Sequence, residues 1–330
     1  MTTPVSESPP RSTYLFLLAL GVGVILIPAY DPVLRAFPVV ATFSTLFAAV
    51  FVQALPFLAL GVVLSASIAA FVPAGLFERV LPKNQGVAVG IAGVSGAALP
   101  GCECGSVPVA RRLLDHGVPA AVALTFLLSA PAINPVVLVA TAVAFPGHPE
   151  MVLARALASL ATALIVGWLW IRIGRAEWIT VPAAVSCHPD AQRSRLDTFI
   201  DSARSDFLRS SSFLVIGAAT AAALHLVVPA SIYDGLANQI LLAIVLMAAL
   251  AVVLSLCSEA DAFVVAALPM LPLLPRLVFL VVGPAIDIKL FAMQVGTFGR
   301  AFALRFAPLT LIVAVVCASA IGLLVFGGVG

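Results

Sequence analysis

The residues best suited to chemistry fall in two short clusters and two partner stretches. The first cluster reads Pro100-Gly101-Cys102-Glu103-Cys104-Gly105, with Pro108 close behind, and the second reads Cys257-Ser258-Glu259-Ala260-Asp261. One partner stretch carries Asn134, and the other carries Asp287 and Lys289. Thiolates are soft ligands suited to thiophilic cations and metalloids. Cys102, Cys104 and Cys257 are therefore candidate ligands for a substrate or a metal, with Asn134 as a candidate polar contact. Carboxyl groups in a low dielectric can carry protons. That makes Glu103, Glu259, Asp261 and Asp287, together with Lys289, candidates for ion coupling. The same thiols could instead relay electrons by disulfide exchange, although that chemistry does not need the acids. A lone Cys-x-Cys without a second knuckle or a His-rich partner does not make a structural zinc site, and no cofactor is expected. Cys317, alone in an apolar stretch, reads as a small buried hydrophobe. Asp287 and Lys289 are two apart, so a regular helix points them in different directions. If the chain unwinds after Pro284, they could meet or serve different partners.

These residues sit in a chain with very little charge. Of 330 residues, 62% are hydrophobic and 10% charged, and the mean hydropathy is +1.17. Soluble domains carry roughly 25% charged residues, so a soluble enzyme is excluded; the hydrophobic content also excludes disorder. A net charge of +2 without a large Lys/Arg cluster excludes nucleic acid as a partner. What remains is an all-α polytopic protein of the inner or plasma membrane, with length for about eight spanning helices. The run 14–29 reads as a retained first helix rather than a cleaved leader. The run 42–72 exceeds one span and is expected to include an interfacial or tilted part. Trp168, Trp170 and Trp178 lie near a span end and read as interfacial anchors. Ionisable residues inside a membrane are costly and mark function. Gly and Pro around the first cluster break the helix, and such backbone is tolerated at depth only along a cavity or inside protein. No Gly-x-x-x-x-Gly-Lys-Ser/Thr stretch exists, so ATP hydrolysis is not expected.

The chain also contains itself twice. Ala130-Pro131-Ala132-Ile133-Asn134 returns as Gly283-Pro284-Ala285-Ile286-Asp287 at an offset of 153, and Cys104 falls on Cys257 at the same offset. Phe57-Leu58-x-x-Gly61 returns as Phe213-Leu214-x-x-Gly217, and Val72-Pro73 as Val228-Pro229. Residues 1–172 then hold the N-terminal helix and the first half, 173–206 a cytoplasmic polar linker, and 207–330 the second half. Suppose each cluster lies in a re-entrant or broken hairpin. Thirteen of the 17 Lys and Arg residues then share one side, against Arg35, Arg155 and Arg276 on the other, with Lys289 in the membrane. The positive-inside rule favours that arrangement and puts the thirteen in the cytoplasm. It also sets the halves in opposite orientations, an inverted repeat of the kind found in secondary transporters with broken helices near the midplane. Arg111 and Arg112 read as topology determinants.

Gly101-Cys102-Glu103-Cys104-Gly105-Ser106-Val107-Pro108, followed by Gly117-Val118-Pro119 and by 126–135, resembles the predicted-permease family that includes the ArsP organoarsenical efflux permeases. Cys257-Ser258-Glu259-Ala260-Asp261-Ala262-Phe263 and Gly283-Pro284-x-x-Asp287-x-Lys289 fit the same family. The resemblance runs from about Phe51 to the C-terminus. It implies a multi-pass permease rather than an enzyme. In the ArsP branch it implies export of trivalent methylated arsenicals bound through cysteines. Other members resemble subunits of two-component membrane complexes. The expected partners are thus a metalloid or metal substrate, the lipid bilayer, and a second copy or an accessory membrane subunit.

Overall fold

The computed structural model describes residues 38–72, 82–98, 103–179, 194–225, 239–266, 268 and 271–327. All regular structure among them is helical, as the apolar runs predict. Among the described residues, six α-helices precede the mid-chain polar segment: α1 Pro38–Phe71, α2 Gln85–Ser95, α3 Glu103–Asp115, α4 Ala120–Ile133, α5 Pro135–Ala144 and α6 Pro149–Ile173. Six follow among the described residues: α7 Arg195–His225, α8 Ile240–Leu254, α9 Ser258–Ala266, α10 Leu273–Ala285, α11 Ile288–Phe298 and α12 Arg300–Phe326. Residues 195–206, read above as part of the linker, form the opening turns of α7.

Five segments among the described residues are long and apolar enough to cross a bilayer: Val39–Phe71, Ala120–Ala144, Pro149–Ile173, Leu273–Phe298 and Arg300–Phe326. Helices α2 and α8 are apolar but shorter. The first expected helix, 14–29, lies outside the described residues. Helix α1 has 34 residues and runs through Pro56 without a break. At 1.5 Å per residue it is about 51 Å long, well beyond a hydrocarbon core of roughly 30 Å.

Sequence-matched motifs fall in helices of matching order. Gly61 lies in α1 and Gly217 in α7; Cys104 lies in the first turn of α3 and Cys257 just before α9. Pro131 and Pro284 lie near the ends of α4 and α10. Both prolines lack an N–H for the helical ladder, and both helices stop two residues later or sooner, where the backbone turns extended. The chain restarts at once. Asn134 caps α5 by accepting from the Val137 N–H at 3.0 Å, and Asp287 caps α11 by accepting from the Leu290 N–H at 2.5 Å. Short polar side chains at an N-cap satisfy the orphan donors of a first turn, which is how a helix can be broken at depth without exposing backbone.

The two sets of helices interlock. α1 packs on α7, α6 on α12, α4 on α10, α3 on α11 and α5 on α9. Glycines permit the closest approaches. A Cβ at Gly61 would overlap the Gly105 carbonyl, and one at Gly217 would lie 2.6 Å from Lys289 Cα. Trp170 corrects the reading of three interfacial anchors. It is 4% exposed, edge-on to Phe302 and Phe306 of α12 with ring centroids 5.4 Å away. Its place on the inner face of α6 decides its environment, whereas Trp168, on the outer face, is 46% exposed.

Candidate functional site

Where α3 meets α11, beside the break between α8 and α9, the structure buries a network of opposite charges. Glu103 is the first residue of α3, where a carboxylate faces the positive end of the helix dipole. Lys289 stands in the first turn of α11, which packs against α3. Both side chains are buried, and Lys289 Nζ lies 2.5 Å from Glu103 Oε1. The same ammonium is 3.6 Å from Asp287 Oδ2 and donates to the Ser255 carbonyl at 3.4 Å. Asp287 and Lys289 therefore meet, because α10 ends at Ala285 and the extended backbone at Ile286 and Asp287 undoes the regular helical spacing.

The second cluster is held open by an unusual residue. Helix α8 ends at Leu254, and Ser255 adopts a left-handed conformation with φ 48° and ψ 42°. A non-glycine residue there costs about 1–2 kcal/mol, so other contacts must hold it. Ser255 Oγ accepts from the Ile288 N–H at 3.2 Å, and its carbonyl takes Lys289. The break between α8 and α9 is thus tied to the start of α11.

Asp261 lies one turn beyond Cys257, with its N–H bonded to the Cys257 carbonyl at 3.0 Å. Its carboxylate is buried against Gly283, where a Cβ would come within 2.5 Å of Oδ2. The charged groups facing it are Arg155, Glu103, Lys289 and Asp287. Glu103 Oε2, Ser258 Oγ and Asp261 Oδ2 are buried and accept or donate no hydrogen bond within the protein. Most buried polar atoms are paired; these three are exceptions at the site, and Ser159, Gln294 and Thr310 supply others elsewhere in the described interior.

Cys104 and Cys257 are reduced and buried, and both lie close enough to Lys289 to interact electrostatically with it. Cys104 Sγ also approaches Glu103 Oε1 at 4.0 Å. Cys102 and the side chain of Glu259 lie outside the described residues. Among the described residues, no three His, Cys, Asp or Glu side chains gather closely enough to hold a metal ion. Asn134 is fully buried but sits at the other helix break, with its amide nitrogen donating to the Ala130 carbonyl at 3.1 Å and its oxygen capping α5. Cys317 is buried in α12, as expected of a small hydrophobe.

Two basic residues do more than orient the chain. Arg111 is 7% exposed and donates to the Thr297 carbonyl at 3.0 Å, tying α3 to α11. Arg112 pairs with Asp206 of α7 at 2.9 Å. The charge count along the chain sets Arg155 on the side opposite the cytoplasm. It is fully buried within α6, bonded to Thr141 and to the Ser258 carbonyl.

The predicted-permease family model ArsP_1 matches residues 39–323. The UPF0718 protein YcgR of Bacillus subtilis is 34% identical over 282 residues, covering 84% of this chain and 95% of its own. A protein of Streptococcus mutans named as a two-component membrane permease complex subunit is 32% identical over 285 residues, covering 84% and 94%. No solved structure matches the chain. The match takes in every described residue of the charge network and both helix breaks. This multi-pass membrane protein belongs to the ArsP_1 family of predicted permeases.

Proposed function

We propose that the protein is a secondary transporter that exports a thiophilic species, with trivalent methylated arsenicals as the leading substrate class, against an ion gradient. In this reading the two sets of six helices are inverted halves, and an N-terminal helix and the shorter helices complete about eight spans with two broken hairpins. Substrate binds between the clusters, with Cys102, Cys104 and Cys257 as soft ligands. Glu103, Asp261 and Asp287 exchange the coupling ion, with Glu259 beside them in sequence and Lys289 as their counter-charge. Asn134 lines the first break as a polar contact. Rocking of one half against the other exposes the site alternately to the two sides.

The observation that carries this reading is the Lys289–Glu103 pair. A fully buried ammonium from one half is bonded to a buried carboxylate from the other, at 2.5 Å, beside two thiols. Ion pairs inside protein are seldom a net gain in stability, and inside a membrane they mark transport pathways. Buried acid oxygens without a protein donor, as at Glu103 and Asp261, suit a group that takes up and gives back a proton or cation.

The test is transport of trivalent methylarsenite, with arsenite and zinc as comparisons, in vesicles containing wild type or Cys102→Ser, Cys104→Ser or Cys257→Ser. The expected result is transport of the methylated arsenical that each serine removes at normal membrane levels. Equal transport in all four proteins would take the thiols out of the mechanism and leave the carboxylates. A second reading, a permease subunit that works only with a partner, is favoured by the name of the Streptococcus mutans relative. It predicts transport only when a fixed membrane partner co-purifies.

A further inference from the structure

Arg155 plays no part in the mechanism above, and its surroundings assign it one. It stands in α6, in the first set of helices, and its side chain is completely buried. Burying a guanidinium is costly unless hydrogen bonds offset the lost water, and this one makes two to other helices. One terminal nitrogen donates to Thr141 Oγ1 of α5 at 2.6 Å, and the other donates to the Ser258 carbonyl of α9 at 2.8 Å. Thr141 is itself anchored, because its hydroxyl donates to the Val137 carbonyl at 2.8 Å. The same guanidinium faces the Asp261 carboxylate.

Those contacts bracket one turn of chain. The Ser258 carbonyl belongs to the residue next to Cys257, and the Asp261 N–H bonds back to the Cys257 carbonyl at 3.0 Å. A cation at the start of a helix opposes the helix dipole, so α9 by itself does not attract one there. The specific attraction comes from the carbonyl and the carboxylate. The arrangement mirrors that of Lys289. Lys289 reaches from the second set of helices to the first residue of α3, and Arg155 reaches from the first set to the first residue of α9.

We propose that Arg155 is a positioning residue for Cys257: reaching across between the two sets of helices, it holds the Cys257-Ser258 break and Asp261 as one unit against α5. This deepens the transport reading and rests on it in one respect, that Cys257 lies at the substrate site. Removing the guanidinium frees the first turn of α9 and lets the thiol open to solvent. Lysine at this position keeps a charge toward Asp261 but cannot make the two-pronged bond.

The test uses the full chain in membranes, treated with a membrane-permeant maleimide, with labelling of Cys257 and Cys317 followed separately by peptide mass spectrometry. Arg155→Gln is expected to label Cys257 about tenfold faster or more, since charge-assisted hydrogen bonds that hold a segment also limit its local opening. Cys317, buried in α12, is expected to keep its rate. Arg155→Lys is expected to fall between wild type and Arg155→Gln. Thr141→Val, which removes only the hydroxyl that receives the guanidinium, is expected to raise Cys257 labelling about threefold, and it carries the test if Arg155→Gln does not accumulate. Unchanged Cys257 labelling in these variants would overturn the proposal. So would parallel acceleration at Cys257 and Cys317, which would make Arg155 a general support of the fold. Labelling needs no transported substrate, so a failure of methylarsenite transport in wild type leaves this result intact.

Discussion

Each set of helices is interrupted at the same motif, yet the two interruptions differ in what they require. At the first, the Asn134 amide is engaged close by: its oxygen caps Val137 and its nitrogen returns to the Ala130 carbonyl. At the second, one oxygen of Asp287 makes the same cap, while the other faces Lys289, which in turn is paired with Glu103 from the first half. The neighbouring positions diverge in the same sense. Ala130 stands where the second break has Gly283, and the glycine leaves room for the Asp261 carboxylate; Pro108 stands at the position that matches Asp261. Both copies share one backbone solution to breaking a helix at depth, and a few side chains load only the second with charge. Two sequence-matched helix breaks can thus share a backbone path and differ in the charge they carry.

The largest test of that difference is Lys289→Met, which leaves Glu103 and Asp287 buried without their cation. Folded stability is expected to fall by about 3–5 kcal/mol, read as the thermal midpoint of the purified protein, and Glu103→Gln added to it is expected to restore part. A Lys289→Met protein as stable as wild type would show that charge does not hold the second break. Next come the matched glycines. Gly61→Ala and Gly217→Ala each force a Cβ into neighbouring backbone, and each is expected to lower stability by about 1–3 kcal/mol. Gly217→Ala displaces Lys289 and Gly61→Ala displaces Gly105 beside Cys104, so each should lower methylarsenite transport by more than its loss of folded protein explains. The smallest effect on stability is expected from Asp287→Asn, which gives the second break the cap of the first. Asparagine caps a helix as well as aspartate, so the change in stability should stay within about 1 kcal/mol, while transport falls at least tenfold. Full transport by Asp287→Asn would make the two breaks functionally alike.

Much of this was legible before any coordinates. Composition alone demanded a helical membrane protein, and the repeated Pro-Ala-Ile motif marked both breaks, because proline and a short polar cap act locally. Glu103, Asp261, Asp287 and Lys289 stood out as charges in apolar runs, and the structure brings them together. The span count was harder to read, because helices as short as α2 and α8 are apolar without being long. The burial of Arg155 and Trp170 was unread for a related reason. Hydropathy and distance from a span end do not say which face of α6 looks inward, and both residues lie on the buried face. The left-handed Ser255 had no signal at all, since its conformation is imposed by contacts from α11 rather than by its own preference.

The buried ring of Trp170 has an optical consequence. The chain has three tryptophans, and only Trp170 is enclosed between α6 and α12, with Phe302 and Phe306 around it. Its indole should emit at short wavelength, whereas the exposed Trp168 reports the lipid or water outside. Any sliding of α6 along α12 would move that one emission band toward the red, giving the protein an intrinsic fluorescent gauge of how its two sets of helices stand against each other.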